Sequence, residues 1–590
     1  MLQTDTPERP VEQLVSPLRR GARSAGSRPV AEAGFSLMLG LLLAILVRRP
    51  QDLASTVPGD ARDPVLLTWV LAWPAHALTS PDRLWDGNIL APLDNTLAFT
   101  DALLGYLPFG LVGQGPAAAL VRYNVVLLLA FALAFAGTWL LVRQLGLGRA
   151  AALVAATAFA FNPWRVSQLN HLQILSSGGI PLALAMLARG HGVHLRVGRG
   201  PVRPGWALAG WATATWQLSL GFGLGLQLAY LLALCTAAAA VRALVRAQQG
   251  AGWPARQLLV ANGVGLVLFV GAGAALAQPY LQAVEDHPVA RRPVSEVALF
   301  SPTRSSLLTA PEQSWLWGRS SAELRTGVQF LNEKALFPGL VVTALALVGL
   351  VLPGAWSRRR VLLIAAGVAV LVLCALGTNG PAGGRAGYLL LYEHLPGYQG
   401  IRTPGRLVTT AWLGLALLAA HGVTAVRRAV QQRSGPLDPD RPVGLALALG
   451  LSAVILLEGL DVAGQTPVRP PPASVALRDL PAPVFVLTSE DYSDQDVMRW
   501  STDGFPRIVN GISGFTPDEQ NELRDAAARL PDPAALDRLR QSGVASLLVL
   551  PDTLPGTRYA SLDLGVLASL PGVVVEPRGD TFVVYLGPAS

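Results

Sequence analysis

Four stretches of the chain concentrate side chains that can move protons or bind anions. The first, residues 49–122, holds His76 and, from Val57 onward, six aspartates among tryptophans and phenylalanines: Asp60, Asp63, Asp82, Asp86, Asp94 and Asp101. Carboxylates gathered in one loop can serve as general bases or as ligands of a divalent metal. Asp63 precedes a proline, so it equally fits the N-cap of a helix.

The second stretch, residues 159–184, places Arg165, His171 and several amides between two apolar runs. These groups can donate hydrogen bonds, which suits a phosphate or a sugar hydroxyl. A structural histidine at a helix end is the competing explanation for His171.

The third and fourth stretches place charged side chains beside apolar segments. In residues 279–335, Glu333 and the lysine after it stand just before an apolar run, an arrangement typical of a helix cap and anchor. In residues 389–412, Arg402 and Arg406 flank a Thr-Pro turn. Two arginines at a membrane surface can hold a lipid phosphate bidentately, or they can simply extend to the headgroups.

The elements that must position these residues are membrane helices. The chain has 590 residues and is only 14% charged, whereas soluble proteins average about 25%. Too little polar surface exists to cover a soluble protein of this length. The two cysteines lie inside apolar runs and indicate neither a disulfide framework nor a zinc site. The net charge is +8, but the basic residues are spread beside apolar runs, which argues against a nucleic-acid partner.

Apolar runs between charges predict about eleven membrane spans, since each needs about 20 residues. They are residues 32–48, 123–142, 149–163, 172–188, 205–220, 221–241, 257–278, 336–353, 361–377, 407–426 and 442–461. If the basic N-terminus, residues 1–31, is cytoplasmic, nearly every short arginine-rich loop falls on the same side, as the positive-inside rule requires. The outer side then receives the long loops 49–122, 279–335 and 378–406. In the first loop, tryptophans predict interfacial helices over 64–78 and 101–113.

The last part of the chain predicts a separate small domain. A proline-rich linker, residues 463–480, precedes residues 481–590, in which short apolar runs alternate with helical stretches. This alternation is typical of a small α/β domain, and its length suffices for an independent core. The predicted fold class is therefore an α-helical polytopic membrane protein, residues 32–462, with a small C-terminal α/β domain that is extracytoplasmic.

The layout resembles bacterial polytopic proteins of the C-fold (GT-C) glycosyltransferase superfamily, which use polyprenyl-phosphate-linked sugars. The stretches that look similar to a poorly characterised branch of that superfamily are GDARDPVLLTWVLAWPAHAL, AFAFNPWRVSQLNHLQIL, EKALFPGLVVTALALVGL, PGYQGIRTPGRL and PRIVNGISGFTP. Together with the order of spans and loops, the resemblance extends over most of the chain.

The resemblance implies a catalytic base early in the first outer loop, where it would deprotonate the acceptor hydroxyl. The matching positions are Asp60 and Asp63, and Asp63 is favoured because it starts the first interfacial helix. Asp86, Asp94 or Asp101 would supply the second acid that some members use. No tight Asp-Glu pair is present in this loop, which argues against a divalent metal, so no metal ligand or other cofactor is assigned.

Arg402 and Arg406 match, by type and place, the residues that grip the donor phosphate. Arg165, His171 and Glu333 are further substrate-binding candidates. The implied reaction transfers a hexosyl or pentosyl group from a polyprenyl-phosphate donor to an envelope glycan, lipid or protein. It would take place at the outer face of the cytoplasmic membrane, with inversion at the anomeric carbon.

Two alternatives stay open beside the transferase. The first is a lipid or polysaccharide transporter or flippase, although such proteins usually carry ionisable groups near the bilayer midplane. The predicted spans hold few charges apart from Glu458 near an end. The second is a non-catalytic membrane scaffold of the same fold.

Overall fold

Helices form most of the computed structural model, which describes residues 28–195, 198–250, 253, 255–434, 442–488 and 491–587. The first helix is followed by a loop that contains a short strand, a second helix and one isolated helical turn. These elements are α1 (Arg28–Arg48), β1 (Thr56–Pro58), α2 (Arg62–His76) and α3 (Leu107–Gly110).

The chain then builds the first half of a helical bundle. Its elements are α4 (Gly115–Gln144), α5 (Arg149–Ala160), α6 (Pro163–Ser167), α7 (Leu172–Leu175), α8 (Gly179–Gly190), the hairpin strands β2 (Val193–His194) and β3 (Gly198–Arg199), α9 (Pro204–Leu218), α10 (Phe222–Gln248) and α11 (Arg256–Asp286). A second long loop and the remaining helices follow: α12 (Val294–Phe300), α13 (Ala322–Arg325), α14 (Leu331–Lys334), α15 (Leu340–Val351), α16 (Arg358–Ala375), α17 (Tyr388–His394), α18 (Val408–Ser434) and α19 (Pro442–Glu458).

Every predicted span contains a helix, and the chain is a multi-pass membrane protein. By length and composition, six segments of the described residues can cross a membrane: Pro29–Arg48, Gly115–Gln144, Leu172–Gly190, Phe222–Gln248, Arg256–Asp286 and Pro404–Val430. The helices α15 and α19 are apolar but shorter. Glu458, the acid noted in the last predicted span, accepts hydrogen bonds from the backbone N–H groups of Leu340 (2.7 Å) and Val341 (3.2 Å). It therefore caps the N-terminus of α15, where a negative charge is favourable.

The C-terminal residues form the predicted α/β domain. Its elements are β5 (Val484–Leu487), α20 (Asp491–Trp500), α21 (Asp518–Ala528), α22 (Pro533–Gln541), β6 (Ser546–Val549), α23 (Leu564–Ala568), β7 (Val573–Arg578) and β8 (Thr581–Leu586), preceded by strand β4 (Gln465–Pro467), which is not part of the domain's sheet. The sheet order is β5-β6-β8-β7, with β5 and β6 parallel and the other two pairs antiparallel. The four residues of β5 and of β6 are all buried, which explains why both strands are continuous apolar runs.

Two connections attach this domain to the first outer loop. Strand β4 pairs with β1 in antiparallel register, with Thr466 opposite Val57. The backbone also pairs directly, since Ile508 N donates to Asn88 O at 2.8 Å and Ala91 N donates to Ile508 O at 3.0 Å. Asn88 further accepts a bond from the indole N–H of Trp69 in α2 at 2.8 Å. The domain therefore covers α2.

The first outer loop contains one of its two predicted helices. Helix α2 lies where residues 64–78 were predicted to be helical; it is buried along residues 64–74 and packs between α4 and α20. Residues 101–113 do not form the second predicted helix, because they contain only a 3-10 turn and the four residues of α3. Leu103 and Gly113 have positive φ values of 48° and 73°, which an α-helix does not accept.

Candidate functional site

The structure brings five predicted site residues into one cluster at the end of the bundle that carries the long loops. They are Asp63 of α2, Asp101 of the first outer loop, His171 just before α7, Glu333 of α14 and Arg406 just before α18. Because these positions are distant in sequence, only the packing of the bundle makes them neighbours.

Glu333 and Arg406 form the buried base of this cluster. Arg406 Nε lies 3.0 Å from Glu333 Oε2, and Arg406 Nη2 lies 2.5 Å from Glu333 Oε1, which is the bidentate geometry of a strong ion pair. Burial raises the pKa of the Glu333 carboxyl, but Arg406 and His171 oppose this effect and hold the pKa below its ordinary value. The expected capping pair of Glu333 with its neighbouring lysine is not what the structure contains.

The orientation of Gln168 determines where His171 carries its protons. Gln168 Nε2 donates to the backbone carbonyl of Asn332 at 2.5 Å, so its Oε1 faces Nδ1 of His171 at 3.0 Å and can only accept. The other ring nitrogen, Nε2, lies 3.3 Å from Asp63 Oδ2 and 3.8 Å from Glu333 Oε1. His171 therefore contacts Gln168 through Nδ1 and faces Asp63 and Glu333 through Nε2.

Helix α2 places Asp63 in its first turn. The helix begins at Arg62, and Ala61 occupies the N-cap position that was the alternative role for Asp63. A carboxylate in the first turn is favoured by the helix dipole. The side chain of Asp63 is 45% exposed, so the group that contacts His171 can also contact a ligand. This accessible acid above a buried ion pair is the central feature of the site.

Arg402 belongs to a second charged group beside the cluster. Arg402 Nη1 lies 2.8 Å from Glu296 Oε1, and Arg292 Nη1 lies 3.2 Å from the same oxygen. Two guanidinium groups thus share one carboxylate, so this triad carries a net positive charge. The Arg402 guanidinium stacks over the Phe300 ring at 4.9 Å, and its charge acts on Glu333. Because its side chain is 37% exposed, Arg402 is accessible to an anion.

Asp101 supplies a further acid at the edge of the cluster. Its carboxylate accepts the backbone N–H of Phe222 at 2.9 Å, at the start of α10. Burial raises the pKa of Asp101 above its ordinary value, against the opposing effects of this hydrogen bond and of Arg406. Asp101 is thus held where a carboxyl group binds a proton more readily.

Asp60 and Asp86 have local partners outside the cluster. Asp60 accepts the backbone N–H of Arg62 at 3.0 Å and lies 3.3 Å from its guanidinium, so it shapes the turn before α2. Asp86 accepts the backbone N–H of Asn95 at 3.0 Å, which closes the irregular segment between them.

Asp94 and Arg165 are also placed elsewhere. Asp94 is exposed and lies 3.9 Å from Arg507 of the C-terminal domain. Arg165 is 1% exposed and donates to the hydroxyl of Ser177 at 3.0 Å and to the carbonyl of Leu175 at 2.8 Å. Its side chain therefore joins α6 to the turn after α7 beneath the site.

Glu296 is the member of the site that the sequence did not indicate. Its spacing of four residues from Arg292 is the pattern of an ion pair on one helix face, and this spacing was the available signal. In the part of the chain that the structure describes, no group of three or more His, Cys, Asp or Glu side chains is arranged to hold a metal ion. The site is accordingly built from carboxylates, one histidine and arginines.

Comparison with known proteins gives structural neighbours only. No protein-family profile matches the chain, and no curated protein matches it in sequence. The cryo-EM structure of the arabinofuranosyltransferase AftD from mycobacteria is similar, with a TM-score of 0.51 and 16% identity over 94% of this chain and 40% of AftD. The chain thus spans less than half the length of AftD.

Two further structures resemble the chain more weakly. The oligosaccharyltransferase AglB from Archaeoglobus fulgidus has a TM-score of 0.41 and 12% identity over 94% of this chain and 74% of AglB. ArnT from Cupriavidus metallidurans has a TM-score of 0.35 and 15% identity over 94% of this chain and 98% of ArnT. The similarity to AftD confirms the predicted fold: the chain is a polytopic α-helical membrane protein that shares the fold of this arabinofuranosyltransferase, and it carries a small C-terminal sheet domain.

Proposed function

We propose that this protein is a membrane glycosyltransferase that moves a sugar from a polyprenyl-phosphate donor to an envelope glycan, lipid or protein. The observation that carries the proposal is the accessible carboxylate of Asp63, which contacts His171 above the buried pair of Glu333 and Arg406. In a GT-C architecture, an acid early in the first outer loop is the expected position of the base.

Asp63 acts as the general base in this proposal. It accepts the proton of the acceptor hydroxyl while that oxygen attacks the anomeric carbon of the donor sugar. The bond between the anomeric carbon and the phosphate oxygen breaks, and polyprenyl phosphate leaves with the electron pair. A single displacement from the opposite face inverts the anomeric centre. The proton then passes from Asp63 to water.

His171 and Glu333 position this base. The ring of His171 lies 3.3 Å from Asp63, so this contact orients the carboxylate. Glu333 holds His171 from the other side, and Arg406 neutralises Glu333. Arg406, predicted as a phosphate ligand, is therefore better suited to a supporting role.

Arg402 is the residue better suited to the donor phosphate. Its triad with Arg292 and Glu296 carries a net positive charge, and its side chain is partly exposed. A guanidinium placed there stabilises the negative charge that develops on the leaving phosphate. Asp101 and the C-terminal domain are the proposed contacts of the acceptor, since Asp101 lies at the edge of the cluster and the domain packs on the same outer loop.

The experiment compares envelope glycans and glycoproteins by mass spectrometry in a deletion strain and its complemented derivatives. We expect one sugar to disappear on deletion and to return with the wild-type protein but not with Asp63→Asn. The matched control is Asp94→Asn, an exposed aspartate of the same loop, which should restore the sugar. Protein amounts in the membrane are compared by immunoblot.

The outcomes separate the candidate functions. Restoration by Asp63→Asn would overturn the role of this residue. Identical glycans in all strains, with the protein present in the membrane, would overturn the transferase and leave the transporter or the scaffold. The transporter has less support because Glu458, which lies in the last predicted span, caps α15.

A further inference from the structure

A groove of about 780 Å³ lies between three helices of the bundle, well separated in sequence from the candidate site. Each of α1, α5 and α19 contributes one stripe at helical spacing, and α4 contributes a tryptophan to the wall. The side chains that define this α1 groove are Leu39 and Leu43, Trp139, Leu153, Leu449 and Leu456.

The groove has the length of one bilayer leaflet. Its lining on α1 extends from Ala31 to Leu43, which is roughly 18 Å at 1.5 Å per residue. The hydrocarbon core of a bilayer is about 30 Å thick. The rim faces the membrane, since Leu445 and Leu449 of α19 are more than half exposed. The dimensions therefore fit hydrocarbon chains from one leaflet.

Charges are confined to one end of the groove. Glu32 accepts a hydrogen bond from Arg143 at 2.7 Å and lies 4.0 Å from Arg149. Arg143 thus engages Glu32 closely, whereas the side chain of Arg149 is 76% exposed. The three residues together carry one net positive charge at the level of a lipid headgroup.

The groove is not packed shut by the described residues. Ser452 lines it and is 5% exposed, yet its hydroxyl oxygen has no hydrogen-bond partner in the part of the chain that the structure describes. Helical serines usually bond to a preceding carbonyl or to a neighbour, and an unpaired buried hydroxyl is costly.

We propose that the α1 groove is a binding site for an anionic phospholipid. The acyl chains lie along the leucine stripes, and the headgroup phosphate pairs with Arg149. The apolar lining suits the acyl chains, the positive charge at one end suits the headgroup phosphate, and the length of the groove is close to the thickness of one leaflet. This site is independent of the proposed transferase reaction.

The experiment uses full-length protein released from detergent in native mass spectrometry, with bound lipid identified by dissociation. We expect the wild type to retain phospholipid with an anionic headgroup in preference to a zwitterionic one. Leu449→Trp, which fills the groove, should lose the bound lipid. The matched control Leu447→Trp changes an exposed leucine of the same helix outside the groove and should retain it.

The headgroup contact is tested separately. Arg149→Gln should keep the lipid but lose the preference for anionic headgroups, while Arg256→Gln, an exposed arginine elsewhere, should keep the preference. Equal lipid retention by the two tryptophan variants, or no retained lipid in the wild type, would overturn the proposal. A photo-crosslinker at position 449 that reacts with residues 1–27 instead of lipid would also overturn it.

Discussion

Individual charges, rather than apolar packing, hold the candidate site together. Glu333 is buried and would be costly without Arg406, since an unpaired buried charge destabilises a protein by about 3–5 kcal/mol. His171 then depends on Glu333, and Asp63 depends on His171. The exposed base is thus oriented by a chain of contacts that ends in a buried ion pair.

Substituting Glu333 tests this arrangement through stability. We expect Glu333→Gln to lower the free energy of unfolding at neutral pH by about 3 kcal/mol, because Arg406 loses its charged partner. The pKa of Glu333 is lowered in the folded protein. The ionised carboxylate therefore stabilises the fold fully above the pKa of the unfolded chain, about 4.3, and this stabilisation is lost as pH falls through the pKa of the folded protein. The measurement is the thermal unfolding temperature of each protein from neutral to acidic pH.

The matched control is Glu323→Gln, an exposed acid of the same loop. The unfolding temperatures of the wild type and the control should fall in parallel on acidification. The unfolding temperature of Glu333→Gln should be lower at neutral pH and should fall less. A Glu333→Gln protein as stable as the control at neutral pH would contradict the prediction.

At the level of elements, the first outer loop takes its shape from the C-terminal domain. Residues 88–99 bond through their backbone to residues 508–514, including Gly514 N to Phe99 O at 2.9 Å. On the other side of this contact, Arg292 donates to the carbonyl of Gly514 at 2.6 Å. The same arginine shares Glu296 with Arg402. Arg292 therefore links the docking of the C-terminal domain to the position of Arg402, the candidate ligand of the donor phosphate.

A side chain at Gly511 should separate these elements. A Cβ there would lie 2.6 Å from Leu90 Cγ and 3.4 Å from the Leu90 backbone nitrogen. We expect Gly511→Val to weaken docking by about 1–3 kcal/mol, as for overpacking in a core. Hydrogen exchange of α2, measured by mass spectrometry, should become faster.

Gly464→Val provides the control, because its Cβ would meet nothing within 4 Å. Exchange in α2 should then match the wild type. Unchanged exchange in the Gly511→Val protein would show that α2 is protected without the domain.

At the scale of the whole molecule, the placement of charges defines two different ends. The long loops and the C-terminal domain lie with the candidate site at one end, where Arg48 pairs with Asp461. The opposite end of α1 carries Glu32 with Arg143 and Arg149. The positive-inside rule assigns this second end to the cytoplasm, which remains a prediction.

Labelling with a membrane-impermeant maleimide in intact cells tests this orientation. In a background with Cys235 and Cys374 changed to serine, we expect Asp537→Cys in α22 to be labelled. Arg359→Cys, in the first turn of α16, should react only after the cells are opened. Both positions are exposed. The reverse pattern would invert the topology and would place the candidate site in the cytoplasm.

The sequence by itself determined that the chain is a helical, multi-pass membrane protein and that its C-terminal domain is a small α/β domain. Both are local properties, since a span needs only a long apolar run and a buried strand only a short one. The polar helix α20, residues 491–500, was missed because it lacks a long apolar run. Residues 101–113 were wrongly expected to be helical, because apolar content does not reveal a backbone with positive φ.

Only the tertiary structure decided which charged residues share a site. The sequence offered several aspartates of the first loop as equivalent, but packing leaves Asp86 bonded to its own loop and Asp94 beside the C-terminal domain. The same packing pairs Glu333 with Arg406 and places the side chain of Gln168 in contact with His171. Such pairs join segments distant along the chain, and their energy depends on burial and distance, which a sequence pattern does not contain.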